Sequence, residues 1–293
     1  MQDLRDLECL IALARHQHFA RAAEACGLSQ PAFSMRIKAL EDRLNTRIVK
    51  RGNRFEGLTP EGEVVLTHAK SITSQVRAMK EQLGANAGEI AGSLTLGVIP
   101  TAGAYASQIA ARLYKRHPRI RLRIETVTSL AILQGLDDRR FDAGVTYTEG
   151  VSEDLLDVIS LYDERYVLLV PDSLDPGGDT ITWEAAGALP LMLLEPDMQN
   201  RRIIDKAFRD IGISPRIVTE SNGFVPAMFM ASRGVGATVI PEVLATALGT
   251  VRNTRMLRLV DPEIEKSICF VARGQGARTP AVAALAELLS SES

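Results

Sequence analysis

Residues 19–61, FARAAEACGLSQPAFSMRIKALEDRLNTRIVKRGNRFEGLTPE, hold two runs of helical periodicity parted by a glycine and followed by a basic, strand-like segment. Phe19, Ala22, Ala23 and Cys26 recur at three- and four-residue spacing, Gly27 breaks the run, and Ile37, Leu40 and Leu44 resume it. The spacing predicts two short helices meeting at Gly27. Ser29 suits an N-cap because its hydroxyl accepts an orphan backbone N–H, and Pro31 falls in the first turn, where a missing N–H costs nothing. The second helix is therefore expected to start near Gln30. With Ala32, Ile37 and Leu40 turned inward, its outer faces carry Gln30, Ser34, Met35, Arg36 and Lys38. Gln pairs with an adenine edge, Arg with guanine or phosphate, Ser with either, and a helix N-terminus itself attracts phosphate.

From Ser29 to Arg54, seven cations (Arg36, Lys38, Arg43, Arg47, Lys50, Arg51, Arg54) stand against Glu41 and Asp42, a local balance of +5 in a chain of net charge −2. Two extended segments flank Gly52-Asn53, which predicts a β-hairpin wing. An arginine at its tip, Arg51 or Arg54, is placed to enter a minor groove. A generic helical hairpin with a solvated charged face is the plainer alternative. The Ala-rich first helix, the Gly turn and the capped Gln-Pro start together weigh against it.

FARAAEACGLSQPAFSMRIKALEDRL and RIVKR…LTPEG resemble the winged helix-turn-helix head of the LysR-type transcriptional regulators, and the length and later segments agree over essentially the whole chain. Met35 stands where the family often places Arg, with Arg36 one position later, and Ile48-Val49-Lys50 replaces the more usual Leu-Phe-Glu. The resemblance implies an α/β chain. It comprises a DNA-binding domain at 1–61, a linker and dimerisation helix with hinge at 62–91, and a periplasmic-binding-protein-like effector domain at 92–293. Subdomain I of that domain would be 92–163 with 267–293, and subdomain II 164–266. The residues then expected at DNA are Arg21, Ser29, Gln30, Pro31, Ser34, Arg36, Lys38, Arg51, Asn53 and Arg54.

Composition agrees with a division of labour. Of 293 residues, 46% are apolar and 24% charged, ordinary for a globular protein. No apolar run approaches the roughly 20 residues that span a bilayer, and MQDLRDLE carries no signal segment, so a cytoplasmic location is expected. Residues 1–60 hold ten Lys/Arg and seven Asp/Glu (+3), leaving 24 and 29 (−5) for the rest. Cys9, Cys26 and Cys269, with His16, His18, His68 and His117, form no metal-ligand spacing. Cys9 and Cys26 sit at apolar helix positions and are expected in the core. Cys269 stands alone in the C-terminal part, which excludes a two-cysteine switch within it.

Val65, Ala69, Ile72, Val76, Met79 and Leu83 follow spacings of 4, 3, 4, 3 and 4, a heptad seam that predicts two chains wrapped together. An amphipathic helix packed on its own chain is the alternative. Gly84, Gly88 and Gly92 are expected to break this helix. A dimer reads two half-sites, so a pseudo-palindromic double-stranded operator is expected. The family adds tetramers, with RNA polymerase a further candidate partner.

From Ser93 short apolar strands alternate with helices, as in a parallel sheet covered on both faces. Strands are expected at 94–99, 121–127, 143–147, 166–170, 191–194, 216–220, 237–240, 256–259 and 267–272. Pro100-Thr101, Thr128-Ser129, Asp197-Met198-Gln199-Asn200 and Ser221-Asn222-Gly223 link strands to helices, where α/β sheets bind ligands and free N–H groups favour anions. Each can equally be a plain N-cap. The resemblance assigns effector contacts to Thr101, Ser129, Thr146 and Gln199, so the expected set is Thr101, Thr128, Ser129, Thr146, Met198, Gln199, Asn200 and Asn222, with modest help from Arg201 or Arg202. No cofactor is expected.

A small anionic metabolite fits these helix ends. YDERYVLLVP and LLEPDMQNRRI resemble regulators linked to formate dehydrogenase genes, which makes formate a candidate. An aromatic or larger organic acid is the alternative. An α/β enzyme with an accessory DNA-binding head is the remoter one, since no Ser-His-Asp set, phosphate loop or metal cluster is seen. A sequence-independent architectural protein would need wider basic coverage than this chain has.

Overall fold

The computed structural model describes residues 3–50, 55–85, 90–152, 154–274 and 278–291. The chain divides into two compact units, residues 1–88 with 137–140 and the remainder.

In the first unit, α1 (Leu4–His16) starts at Asp3, whose carboxylate accepts from Arg5 N. α2 (Phe19–Ala25) and α3 (Gln30–Leu44) pack on it around Leu10, Leu13, Ala22, Ala23, Phe33, Ile37 and Leu40, all buried. Gly27 turns the chain at φ +65°, which strains any residue bearing a Cβ. Ser29 caps α3 as its sequence implies, accepting from Ala32 N at 3.4 Å. The stem of the wing is present. Val49 bridges Leu58 antiparallel, and Lys50 N donates to Gly57 O at 3.1 Å. Its tip, with Arg51, Asn53 and Arg54, lies outside the described residues.

The long helix α4 (Pro60–Ala85) is capped by Thr59, whose hydroxyl accepts from Gly62 N at 2.9 Å. Two of the expected seam residues have other work. Ala69 is fully buried in the core of the head and Val65 packs against that core. The first turns of α4 are thus the amphipathic helix lying on its own chain. Beyond them Ile72 and Met79 are exposed, 39% and 52%, and Val76 is half-buried. The side chain of Leu83 lies outside the described residues. Gly84 does not end the helix, which runs to Ala85. A single glycine costs a helix only about 1 kcal/mol, less than an established helix needs to break.

The second unit holds two sheet systems. β1 (Gly92–Val98), β2 (Ile120–Thr126) and β3 (Ala143–Tyr147) are parallel, with β4 (Leu156–Glu164) and β11 (Lys266–Arg273) completing the order β2-β1-β3-β11-β4. Because β11 is antiparallel to both β3 and β4, those two run the same way. The other system comprises β5 (Tyr166–Pro171), β6 (Thr180–Thr182), β9 (Thr238–Pro241) and β10 (Thr254–Val260) in the order β6-β10-β5-β9. The parallel pair β7 (Leu191–Leu194) and β8 (Ile217–Ser221) is joined to it by the bridge Leu191–Ala237. Among the described residues two strand-to-strand passages connect the systems, at Glu164–Tyr166 and at 260–266. Arg165 in the first is ion-paired with Glu265 in the second. Every expected strand is present within two residues at either end; β4 and β6 were not expected. β4, LDVISLYDE, is half-buried along most of its length and lacks the apolar run that marks its neighbours.

Helices α5 (Gly103–Arg116), α6 (Ser129–Asp137), α8 (Gln199–Asp210) and α9 (Phe224–Ala231) start just beyond the carboxyl ends of β1, β2, β7 and β8, while the short α7 (Trp183–Gly187) follows β6. Consequently the polar strand–helix junctions gather at two sheet edges.

Candidate DNA-reading face and effector site

On α3, Phe33, Ile37 and Leu40 are buried, so Gln30, Ser34 and Lys38, spaced four apart, form one exposed row with Pro31 and Met35 beside it. Arg21 of α2 is exposed as well. Arg36, expected in the reading set, is placed otherwise. Its Nη1 donates to Asp6 at 2.7 Å and to Asp3 at 3.2 Å, and Arg43 also pairs with Asp6. Asp6 is 2% exposed, and its two guanidinium partners tie α3 to α1. These carboxylates hold the Arg36 guanidinium above its usual range, Asp6 first and Asp3 second. Of the seven cations counted over 29–54, Arg36 and Arg43 therefore offset buried negative charge, while Lys38, Arg47 and Lys50 are exposed. Glu41 also turns inward, accepting from Ile48 N and Val49 N at 2.8 and 3.0 Å and so fixing the start of the wing.

In the second unit, Thr101, Thr146 and Asn200 are nearly fully buried polar side chains. The Ser129 hydroxyl, the Thr146 hydroxyl and both amide atoms of Asn200 have no hydrogen-bond partner. Buried polar atoms are nearly always satisfied, so each of these calls for a partner. Thr128 behaves as the plain cap, its hydroxyl accepting from Ala131 N at 3.3 Å. Met198 packs against the apolar cluster under α9, and Asn222 is exposed. Gln199 accepts from Arg202 at 2.6 Å.

Neither arginine stands ready for an anion. Arg201, 6% exposed, donates to Asp205, Glu220 and the Leu194 carbonyl at 2.8, 2.7 and 2.6 Å, and Arg202 holds Gln199 and the Asp197 carbonyl. Burial opposes the Arg201 charge, but Glu220 and Asp205 raise its pKa above the usual value.

Sequence reasoning missed the most unusual group. Glu164 ends β4 at 1% exposure. One carboxyl oxygen, Oε1, accepts from Tyr147 OH and Tyr166 OH, each at 2.9 Å, while Oε2 has no partner. Thr101 Oγ1 lies 3.4 Å from Tyr147 OH, so the network reaches the β1 junction. Burial pushes the Glu164 carboxyl up to about 7 against the hydrogen bonds from Tyr147 and Tyr166, which act to lower it. Tyr147 is pushed well above its ordinary value, by burial first and the Glu164 charge second. Lone acidic residues at strand ends are common in sequences, and only the undetected β4 marked this one.

A helix-turn-helix head and an α/β unit with unsatisfied polar atoms at its strand ends define a ligand-responsive DNA-binding regulator. The LysR substrate binding domain model matches residues 87–293, and the bacterial regulatory helix-turn-helix protein model of the lysR family matches 4–63. The chain belongs to the LysR family of transcriptional regulators. It is 32% identical to a probable hydrogen peroxide-inducible genes activator of Streptomyces viridosporus, over 98% of this chain and 93% of that protein. Among solved structures, a full-length OxyR variant from Pseudomonas aeruginosa matches with TM-score 0.77 at 26% identity, over 99% of this chain and 94% of the other. CbnR complexed with its target DNA shares the fold, with TM-score 0.73 at 20% identity and full coverage of both chains. No described helix is long and apolar enough to cross a membrane, and no described cluster of His, Cys, Asp and Glu suits a metal ion.

Proposed function

We propose that this regulator binds a small polar effector at the carboxyl edges of β1–β4 and β7, and that occupancy changes the geometry of a dimer or tetramer on a pseudo-palindromic operator. The observation that carries the reading is the group of buried, unpartnered polar atoms on Ser129, Thr146, Glu164 and Asn200. With Arg201 and Arg202 engaged elsewhere, recognition falls to hydroxyls, an amide, helix N-termini and one carboxyl. That set suits a small molecule with both donors and acceptors, such as a hydroxy acid or a carboxylic acid bound with its proton, better than a fully desolvated anion. Formate, the candidate suggested by the sequence, falls in the same chemical class, although the relatives found are peroxide-inducible activators rather than regulators linked to formate dehydrogenase genes; an aromatic acid is the alternative. Peroxide-inducible relatives raise thiol sensing as a second reading. Within this effector domain it lacks a pair, since Cys269 is its one cysteine and is fully buried in β11.

The exposed Ile72 and Met79 on α4 are the apolar surface proposed to pair two chains, which operate in the cytoplasm as regulators without catalytic turnover. The test is a thermal-shift screen of the full chain against small acids, hydroxy acids and aromatic acids, with formate included. A hit should raise Tm in the parent and lose most of that rise in Asn200→Ala and Thr146→Val. A hit whose shift survives both substitutions places the effector elsewhere.

A further inference from the structure

The head contains a second reactive feature that base reading does not use. Cys9 lies in the middle of α1, fully buried, and Cys26 caps the C-terminus of α2, half-buried. The two side chains interact, and Cys26 helps to push the Cys9 thiol up. Both also line one groove of about 770 Å³, edged by Arg5, Glu8, Arg15 and His16, through which a small solute reaches the half-buried Cys26 while Cys9 stays covered. As separate cysteines each would pass for a small hydrophobe of the core. As a contacting pair on a groove wall they are a dithiol.

We propose that Cys9 and Cys26 are a modification site, an intramolecular dithiol that a small hydroperoxide oxidises to a disulfide and so weakens DNA binding. Cys26 is the entry point because it is the more exposed, whereas burial and its neighbour push the Cys9 thiol up to about 12, leaving it little thiolate. In the first step the Cys26 thiolate attacks the O–O bond of ROOH, which leaves as ROH and converts Cys26 to its sulfenic acid. Cys9 sulfur then displaces that oxygen as water. Overall, two thiols and ROOH give one disulfide, ROH and water, with the electron pair passing from sulfur to the peroxide.

The bond has a structural consequence. A disulfide holds its sulfurs at about 2.0 Å, far closer than two contacting thiols. Closing it draws residue 26 toward α1. The next residues are Gly27 at φ +65°, Leu28 and the α3 cap Ser29, so the displacement passes directly to the N-terminal turn that carries Gln30 and Ser34.

The experiment uses the reduced full-length protein treated with hydrogen peroxide, followed by intact mass and by operator binding at fixed salt. The expected result is a loss of about 2 Da, reversed by dithiothreitol and absent in Cys26→Ser, with a several-fold fall in affinity that Cys26→Ser does not show. Because Cys26 is half-buried, that variant tests the site without emptying the core; in Cys9→Ser, mass should instead rise by one or more oxygens. Oxygen addition without the bridge in the parent overturns the proposal, as does a bridge involving Cys269 or a Cys9–Cys26 bridge that leaves affinity unchanged.

Discussion

Tyr147, the last residue of β3, donates its hydroxyl to Glu164, the last residue of β4, over 2.9 Å. The two strands run the same way, so both residues arrive at one sheet edge. Tyr166, the first residue of β5, donates to the same oxygen from the second sheet system. A single buried carboxyl thus joins the two systems where the chain passes between them.

That carboxyl sets a pH dependence. Its folded value, about 7, lies above the ordinary 4.5, so the folded state holds the proton more tightly than the unfolded chain. The stabilisation is fully present below about pH 4.5 and is lost as pH rises through 7, on the order of 3 kcal/mol at about 1.4 kcal/mol per pH unit. Denaturant melts of the parent and Glu164→Gln from pH 4.5 to 8 should therefore diverge, the parent losing stability relative to the amide as pH rises. Parallel curves would mean that Glu164 does not titrate in this range.

Asp6 is the corresponding buried charge in the head. Removing one partner of a fully buried pair costs roughly 3–5 kcal/mol, but Arg36 and Arg43 are each about one-third exposed and can turn to water. Asp6→Ala should therefore destabilise the head by about 2 kcal/mol. A loss under about 0.5 kcal/mol would reduce the cluster to an ordinary surface pair.

On the proposed reading, the exposed row on α3 separates base reading from charge. Gln30→Ala should cost about 1–3 kcal/mol on the operator and little on random DNA. Lys38→Gln should weaken both alike and lower the salt slope by about one. Arg36→Gln should leave that slope unchanged, since Asp3 and Asp6 hold its guanidinium. Equal loss of operator and random binding in Gln30→Ala would remove base readout from that residue.

Gly62 fixes how α4 leaves the wing. A Cβ there would stand 2.1 Å from the Ile48 carbonyl oxygen, a backbone atom that cannot swing away. Gly62→Ala should cost about 1–3 kcal/mol, read by thermal melting of the head; an unchanged Tm would show that α4 shifts freely.

The sequence made the head legible because local signals coincided there. Ser29, Pro31 and Gly27 speak for their own backbone, and the helical spacing of Ile37, Leu40 and Leu44 needs no knowledge of the partner helix, although Phe33 rather than Ala32 is the third buried residue of α3. The parallel strands were visible as apolar runs for the same reason. What stayed hidden depends on contacts distant in sequence. Arg36 looks like a phosphate ligand until Asp6, thirty residues away, is seen beneath it. Ala69 belongs both to a heptad and to the core of the head, and spacing cannot choose between them. Glu164 required β4, whose half-buried faces blur its alternation, and two tyrosines from other strands.

The account rests most heavily on the coupling of the strand-end site to the DNA-binding heads. DNase I footprints on the cognate operator, taken with and without a compound identified by thermal shift and compared with Asn200→Ala, test it directly. The account predicts that saturating ligand changes the length or the cleavage pattern of the protected region in the parent and leaves the Asn200→Ala footprint as it was. Identical parent footprints with the site empty and saturated would contradict it.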